Sequence, residues 1–132
     1  MTAIRDLEML LREMRPALRD DDYVYCCVPP EDAAKHIASA FGMFREDEGV
    51  TLILEKSHAE REALAYGPVM RCITLTVHSA LEAVGLTAAV SAALTRHGIS
   101  ANVVAAYHHD HIFVPASDAE RALLALKEAA PV

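Results

Sequence analysis

Cysteine is scarce in this chain, three residues among 132, and two of the three are adjacent. Cys26 and Cys27 cannot easily close a bridge with each other and an odd count leaves one over, so a disulfide framework is excluded and a reducing compartment is expected. Basic residues are also few: twelve, scattered, against nineteen acidic ones, for a formal charge of −7 and a pI near 5.4. That balance supplies no electrostatic footprint for nucleic acid or an anionic membrane, and neither is expected as a partner. No uncharged apolar run approaches the roughly 18 residues of a spanning helix, and Arg5, Asp6, Glu8, Arg12 and Glu13 interrupt the N-terminus where a signal peptide has its apolar core. The expected location is the cytoplasm. Glycine is limited to five positions, no phosphate-cradling loop is present, and no serine stands in a nucleophile elbow. The sequence asks for neither an enzyme nor a cofactor.

Apolar residues are plentiful instead. They make up 53% of the chain against 23% charged, which argues for a folded, well-buried protein and against disorder. The length suits one compact unit, or two very small ones sharing a core.

The hydrophobic pattern sets out the elements. Ile4, Leu7, Leu11 and Met14, with Leu10 beside them, give one face of an N-terminal helix that ends before Pro16. Tyr23 to Val28 reads as a strand, preceded by Asp20-Asp21-Asp22 and stopped by Pro29-Pro30. A short helix fits Asp32 to Ala38. Ala40 to Arg45 and Val50 to Lys56 then flank Glu46-Asp47-Glu48-Gly49 as a hairpin with a solvated acidic tip, followed by a helix near Ala59 to Ala65.

In the second half, Ile73, Leu75 and Val77 alternate with Thr74 and Thr76, the period of a strand with one buried face. After Gly85, Leu86, Val90 and Leu94 fall at i, i+4 and i+8 with Ala89 and Ala93 between them, giving a helix with a small apolar stripe fit to lie on a sheet. Gly98 suits the left-handed residue that closes it, and a cationic His97 is favoured at the negative end of the helix dipole. Val103 to Tyr107 and Ile112 to Val114, separated by His108-His109-Asp110-His111, read as a second hairpin. Asp118 to Ala129 reads as the last helix.

Ser57-His58-Ala59-Glu60-Arg61 and Ser117-Asp118-Ala119-Glu120-Arg121 share the form S-x-A-E-R, each readable as a capping box after a hairpin. The order of elements repeats around them, so the chain parses as a helix plus two βαββα units. The expected fold is α+β: an antiparallel sheet of ferredoxin-like units with helices on one face. The expected divisions are 1–16, 17–69 and 70–132.

The stretch from Ile73 to Val114, with its loop ending in Gly85, its helix and its turn at Asn102, resembles an ACT domain. Longer strings, Phe44 to Leu52, Thr74 to Ser79, Leu81 to Thr87 and Tyr107 to Val114, resemble short, free-standing bacterial tandem-ACT proteins. The sequence departs from that pattern at its end: a full ACT unit is βαββαβ, and the second unit here has no final strand. Either the first strand of the other unit or a second chain is expected to cover that edge.

The resemblance implies an amino-acid-binding regulatory protein without catalysis, and a homodimer is expected. Backbone amides at a helix start face an anion, and glycine allows it to approach. Carried over, the carboxylate end of a ligand falls to Val84, Gly85, Leu86 and Thr87, and its amino or side-chain group to Asn102. His78 and Ser79 would line the same pocket. Two rivals stand beside this. One is a scaffold of the same fold with no ligand. The other is a metal protein using His108-His109-Asp110-His111, although strand alternation sends His109 and His111 to one face and His108 to the other, which favours a solvated turn.

Overall fold

The computed structural model describes residues 7–76 and 85–129. In chain order the elements are α1 (Leu7–Arg12), β1 (Pro16–Val28), α2 (Pro30–Ala33), a 3-10 turn (Ile37–Ser39), β2 (Gly42–Glu46), β3 (Gly49–Glu55), α3 (Lys56–Arg61), β4 (Met70–Leu75), α4 (Leu86–Arg96), β5 (Asn102–Ala105), β6 (Asp110–Pro115), a second 3-10 turn (Ala116–Asp118) and α5 (Ala119–Ala129). Two compact units form, one from Met1–Arg19 with Arg71–Val132 and one from Asp20–Met70, so the chain passes from the first to the second within β1 and returns at the start of β4.

In the first of these, the strand order is β1-β4-β6-β5. The early residues of β1 lie beside β4, with the Thr76 hydroxyl donating to the Arg15 carbonyl at 2.9 Å and Arg71 Nε to the Arg19 carbonyl at 3.2 Å. β1 thus flanks β4 on the side away from β6. β5 and β6 pair antiparallel from Asn102↔Phe113 to Ala105↔Asp110. Met14, Ile73, Leu75, Leu86, Val90, Leu94, Ile112, Val114 and Leu126 form the core. Leu86, Val90 and Leu94 of α4 share this core with Ala122, Ala125 and Leu126 of α5, and the two helices are in contact.

In the second unit the order is β2-β3-β1, both pairs antiparallel. Val24, Cys26 and Val28 alternate inward on β1, and Leu52 and Leu54 inward on β3, onto a core closed by Ala33 and Ala59. Asp47 and Glu48 make the two-residue tip between Glu46 and Gly49, and the Thr51 hydroxyl donates to the Glu46 carboxylate.

Several local expectations are corrected. Asp20-Asp21-Asp22 lie inside β1, which begins seven residues before Tyr23, because ladder pairing overrides the poor strand preference of aspartate. The expected helix over Asp32 to Ala38 is a single turn followed by a 3-10 turn. α3 starts at Lys56 with Glu55 as its N-cap and no side-chain cap, so Ser57 is already helical and makes no capping box. Likewise Ser117 sits in the 3-10 turn before α5, where Asp118 pairs with Arg121 at 2.6 Å. Ile4, Val77 and Pro131-Val132 lie outside the described residues.

Candidate functional site

Gly85 stands immediately before α4 with φ 98° and ψ −18°, a left-handed conformation that glycine adopts without a Cβ penalty. It makes no side-chain cap. The first helical bond runs from the Ala89 amide to the Gly85 carbonyl at 2.9 Å, so the amides of Leu86, Thr87 and Ala88 precede it and have no acceptor within the helix. No acidic residue occupies the first turn itself, where the positive end of the helix dipole lies. Leu86 is buried at 4% exposure, so it anchors the turn and offers only its amide, whereas the Thr87 side chain is exposed. Val90, Ala93 and Leu94 bury the same face along the helix and fix its start.

Asn102 opens β5 opposite Phe113, with its side chain exposed. It follows the C-terminal end of α4, where the Ile99 amide returns to the Leu94 carbonyl at 3.0 Å and Gly98, at φ 67°, closes the helix. The eleven residues of α4 make a helix about 16 Å long. Within one unit, Gly85 and Asn102 therefore lie toward opposite ends of it. His78, Ser79 and Val84 fall outside the described residues.

The His108–His111 segment divides in two. The Ala106 amide bonds the His109 carbonyl at 3.0 Å, closing a turn on which Tyr107 and His108 stack edge to face at 4.9 Å. Asp110 and His111 already belong to β6, paired with Ala105 and Val104. His111 Nδ1 lies 2.9 Å from the Thr74 hydroxyl, which is itself buried. Burial, then Arg19 and His109, hold the His111 ring below its ordinary 6.5, while burial raises Asp110 with His109 acting against it. Among the described residues, this hairpin does not gather three ligating groups within reach of one ion.

Three such groups do meet elsewhere. His36, His58 and Glu62 each place a ligand atom within 4.8 Å of the others, and His36 Nδ1 is 3.0 Å from His58 Nε2. No sequence pattern joins them, because His36 lies 22 residues from His58. The one local signal is the four-residue spacing of His58 and Glu62, which puts both on one face of a helical turn.

The cysteines are free and divide by strand parity: Cys26 and Cys72 are buried, Cys27 exposed. Burial pushes the Cys72 thiol up to about 11 despite the opposing effects of Thr74, Arg19 and the Ile112 backbone, and raises Cys26 as well. Both are inert packing thiols.

Residues 2–71 match one family model described as ACT domain, and residues 69–128 match a second with the same description. The chain belongs to the ACT-domain family and carries two such domains in tandem. Among solved structures, a Vibrio cholerae protein of unknown function is 47% identical, with 98% of this chain and 100% of that one covered and a TM-score of 0.85. An Agrobacterium tumefaciens protein, Atu0741, is 19% identical over 87% of each chain at a TM-score of 0.72. The ligand-free regulatory subunit of aspartate kinase from Thermus thermophilus is 16% identical, with 89% of this chain and 97% of that one covered and a TM-score of 0.70. These two likenesses concern the fold. No curated protein matches the sequence.

Proposed function

We propose that the protein is a non-catalytic regulatory sensor that binds an amino acid through its carboxylate at the start of α4. The observation that carries this is the left-handed, side-chain-free cap at Gly85, followed by a first turn without an acid. The amides of Leu86, Thr87 and Ala88 would donate to the carboxylate, and the helix dipole would favour its charge. Val84 would supply a further amide, and His78 and Ser79 a wall of the pocket.

Asn102 belongs to this reading in a particular way. An amino acid is far shorter than α4, so Asn102 and Gly85 contribute to one site only when the asparagine comes from a second copy. That arrangement accords with a homodimer in the cytoplasm. Binding then orders the junction between copies, and its regulatory effect is bounded by the difference in affinity between the two states.

The test is a thermal-shift screen of the full chain against the proteinogenic amino acids, repeated with the carboxamide of each compound that binds. The reading expects at least one saturable shift that disappears with the carboxamide. Uniform silence points to the ligand-free scaffold. Residue Gly85 is a poor site for mutation, since a β-branched side chain at φ 98° is strained whatever the ligand does. Thr87→Glu is better: an acid in the first turn favours the helix and repels a carboxylate.

A further inference from the structure

His36 is one of only two buried polar side chains among the described residues, 4% exposed. Its backbone is tied on both sides, the amide to Ala33 at 3.0 Å and the carbonyl to the Ser39 amide at 3.0 Å, so the ring is held at a fixed place between α2 and the 3-10 turn. Facing it across the unit is α3, where the Glu62 amide bonds the His58 carbonyl at 3.0 Å and stacks the two residues one turn apart. The imidazoles stand at 89° to each other, with ring centres 5.2 Å apart and facing nitrogens 3.0 Å apart.

We infer that His36, His58 and Glu62 form a site for a divalent first-row transition cation of the zinc type. Two nitrogens bound to one zinc at about 2.0–2.1 Å each lie about 2.8–3.0 Å apart at a right angle and about 3.3–3.4 Å apart at the tetrahedral angle. The observed 3.0 Å separation fits that spacing as well as it fits a hydrogen bond. With the ion absent, one ring donates its N–H to the other. On binding, that hydrogen moves to the outer nitrogen of its own ring, both inner lone pairs turn to the cation, and no proton leaves the pair.

Glu62 supplies the third ligand from an exposed side chain whose oxygen is already within 4.8 Å. Lys35 and Lys56, which flank the histidines in the chain, pair with Asp32 and Glu60 instead. Two imidazoles and a carboxylate match the preferences of zinc, nickel and cobalt over magnesium or calcium. Three protein ligands leave a fourth position for water or an exchangeable ligand. The ion would fasten the 3-10 turn to α3, so its presence sets the stability of this unit.

The experiment is zinc titration of the full chain by calorimetry, with cobalt(II) as a spectroscopic substitute, on the wild type, His58→Ala, Glu62→Gln and a His109→Asn/His111→Asn double variant, each checked for folding by circular dichroism. The expected result is one zinc per chain, visible absorption of tetrahedral cobalt and a higher melting temperature with zinc in excess. His58→Ala abolishes these effects. Glu62→Gln, an exposed change that leaves the fold intact, weakens binding by no less than the about 10–100-fold that follows loss of a supporting partner at a zinc site. The double variant binds as the wild type does. No saturable binding, binding indifferent to Glu62→Gln, or binding lost in the double variant overturns the assignment.

Discussion

Thr74 and His111, 37 residues apart in sequence, meet with the Thr74 hydroxyl 2.9 Å from His111 Nδ1. The pair gives a buried threonine in the middle of an apolar strand a half-buried partner, and it makes the strand ladder sensitive to acid.

Burial first, then the charges of Arg19 and His109, favour the neutral His111 ring in the folded state. As pH falls below 6.5 the unfolded chain takes up a proton that the folded ring resists, so stability is full above 6.5 and declines on acidification until the folded ring also titrates. Asp110 has the opposite sign: burial raises it above 3.8, so its contribution is full below 3.8 and is lost as pH rises through its folded value. Urea midpoints measured on both sides of pH 6.5 should fall on the acid side, and His111→Gln should flatten that fall. A wild-type profile no steeper than the variant's contradicts the assignment.

Gly49 tolerates no side chain. At φ 148° a Cβ would stand 2.9 Å from Cys27 Sγ and 2.9 Å from the Val28 carbonyl oxygen, and the backbone oxygen cannot swing aside. Gly49→Ala should lower unfolding free energy by about 2–3 kcal/mol, with the same urea m-value. Cys27→Ala in that background should recover only part of the loss.

Ala63 ends α3 in a left-handed conformation at φ 54°, with the Leu64 amide returning to the Ala59 carbonyl at 2.9 Å. Glycine carries no Cβ penalty there, so Ala63→Gly should stabilise the protein by about 0.5–1 kcal/mol. Thermal melts of the two proteins decide it: a lower melting temperature for the variant contradicts the strain argument.

Thiol titration separates the cysteines. Cys27 is exposed and should react with an aromatic disulfide reagent in the native protein, whereas Cys26 and Cys72 should react only after denaturant is added. Modification of Cys72 at a native rate matching that of Cys27 runs against the packing described.

Much of this architecture is legible in sequence because it rests on local periodicity. Leu86, Val90 and Leu94 announce α4 by their spacing, and Gly98 announces its end. Parity within β1 separates Cys26 from Cys27. Alternation misleads at β4, where Thr74 reads as solvent-facing and is buried, because its partner His111 comes from β6 far along the chain. The S-x-A-E-R echo marks the right helices and the wrong caps: pairing of β3 runs to Glu55 and the helix begins at once, before Ser57 can act. The Gly85 turn is legible through its glycine, while the His36–His58 pair is not, since a contact between an irregular turn and a helix leaves no periodic trace.

Backbone nitrogen–proton NMR of the uniformly labelled protein during titration with a binding amino acid reports on the amides that open α4 one by one. The prediction is that Leu86, Thr87 and Ala88 show the largest saturable amide shifts, in the direction of stronger hydrogen bonding, and that Thr87→Glu removes them while the rest of the spectrum persists. Largest shifts at residues away from the start of α4, or equal affinity in Thr87→Glu, would contradict it.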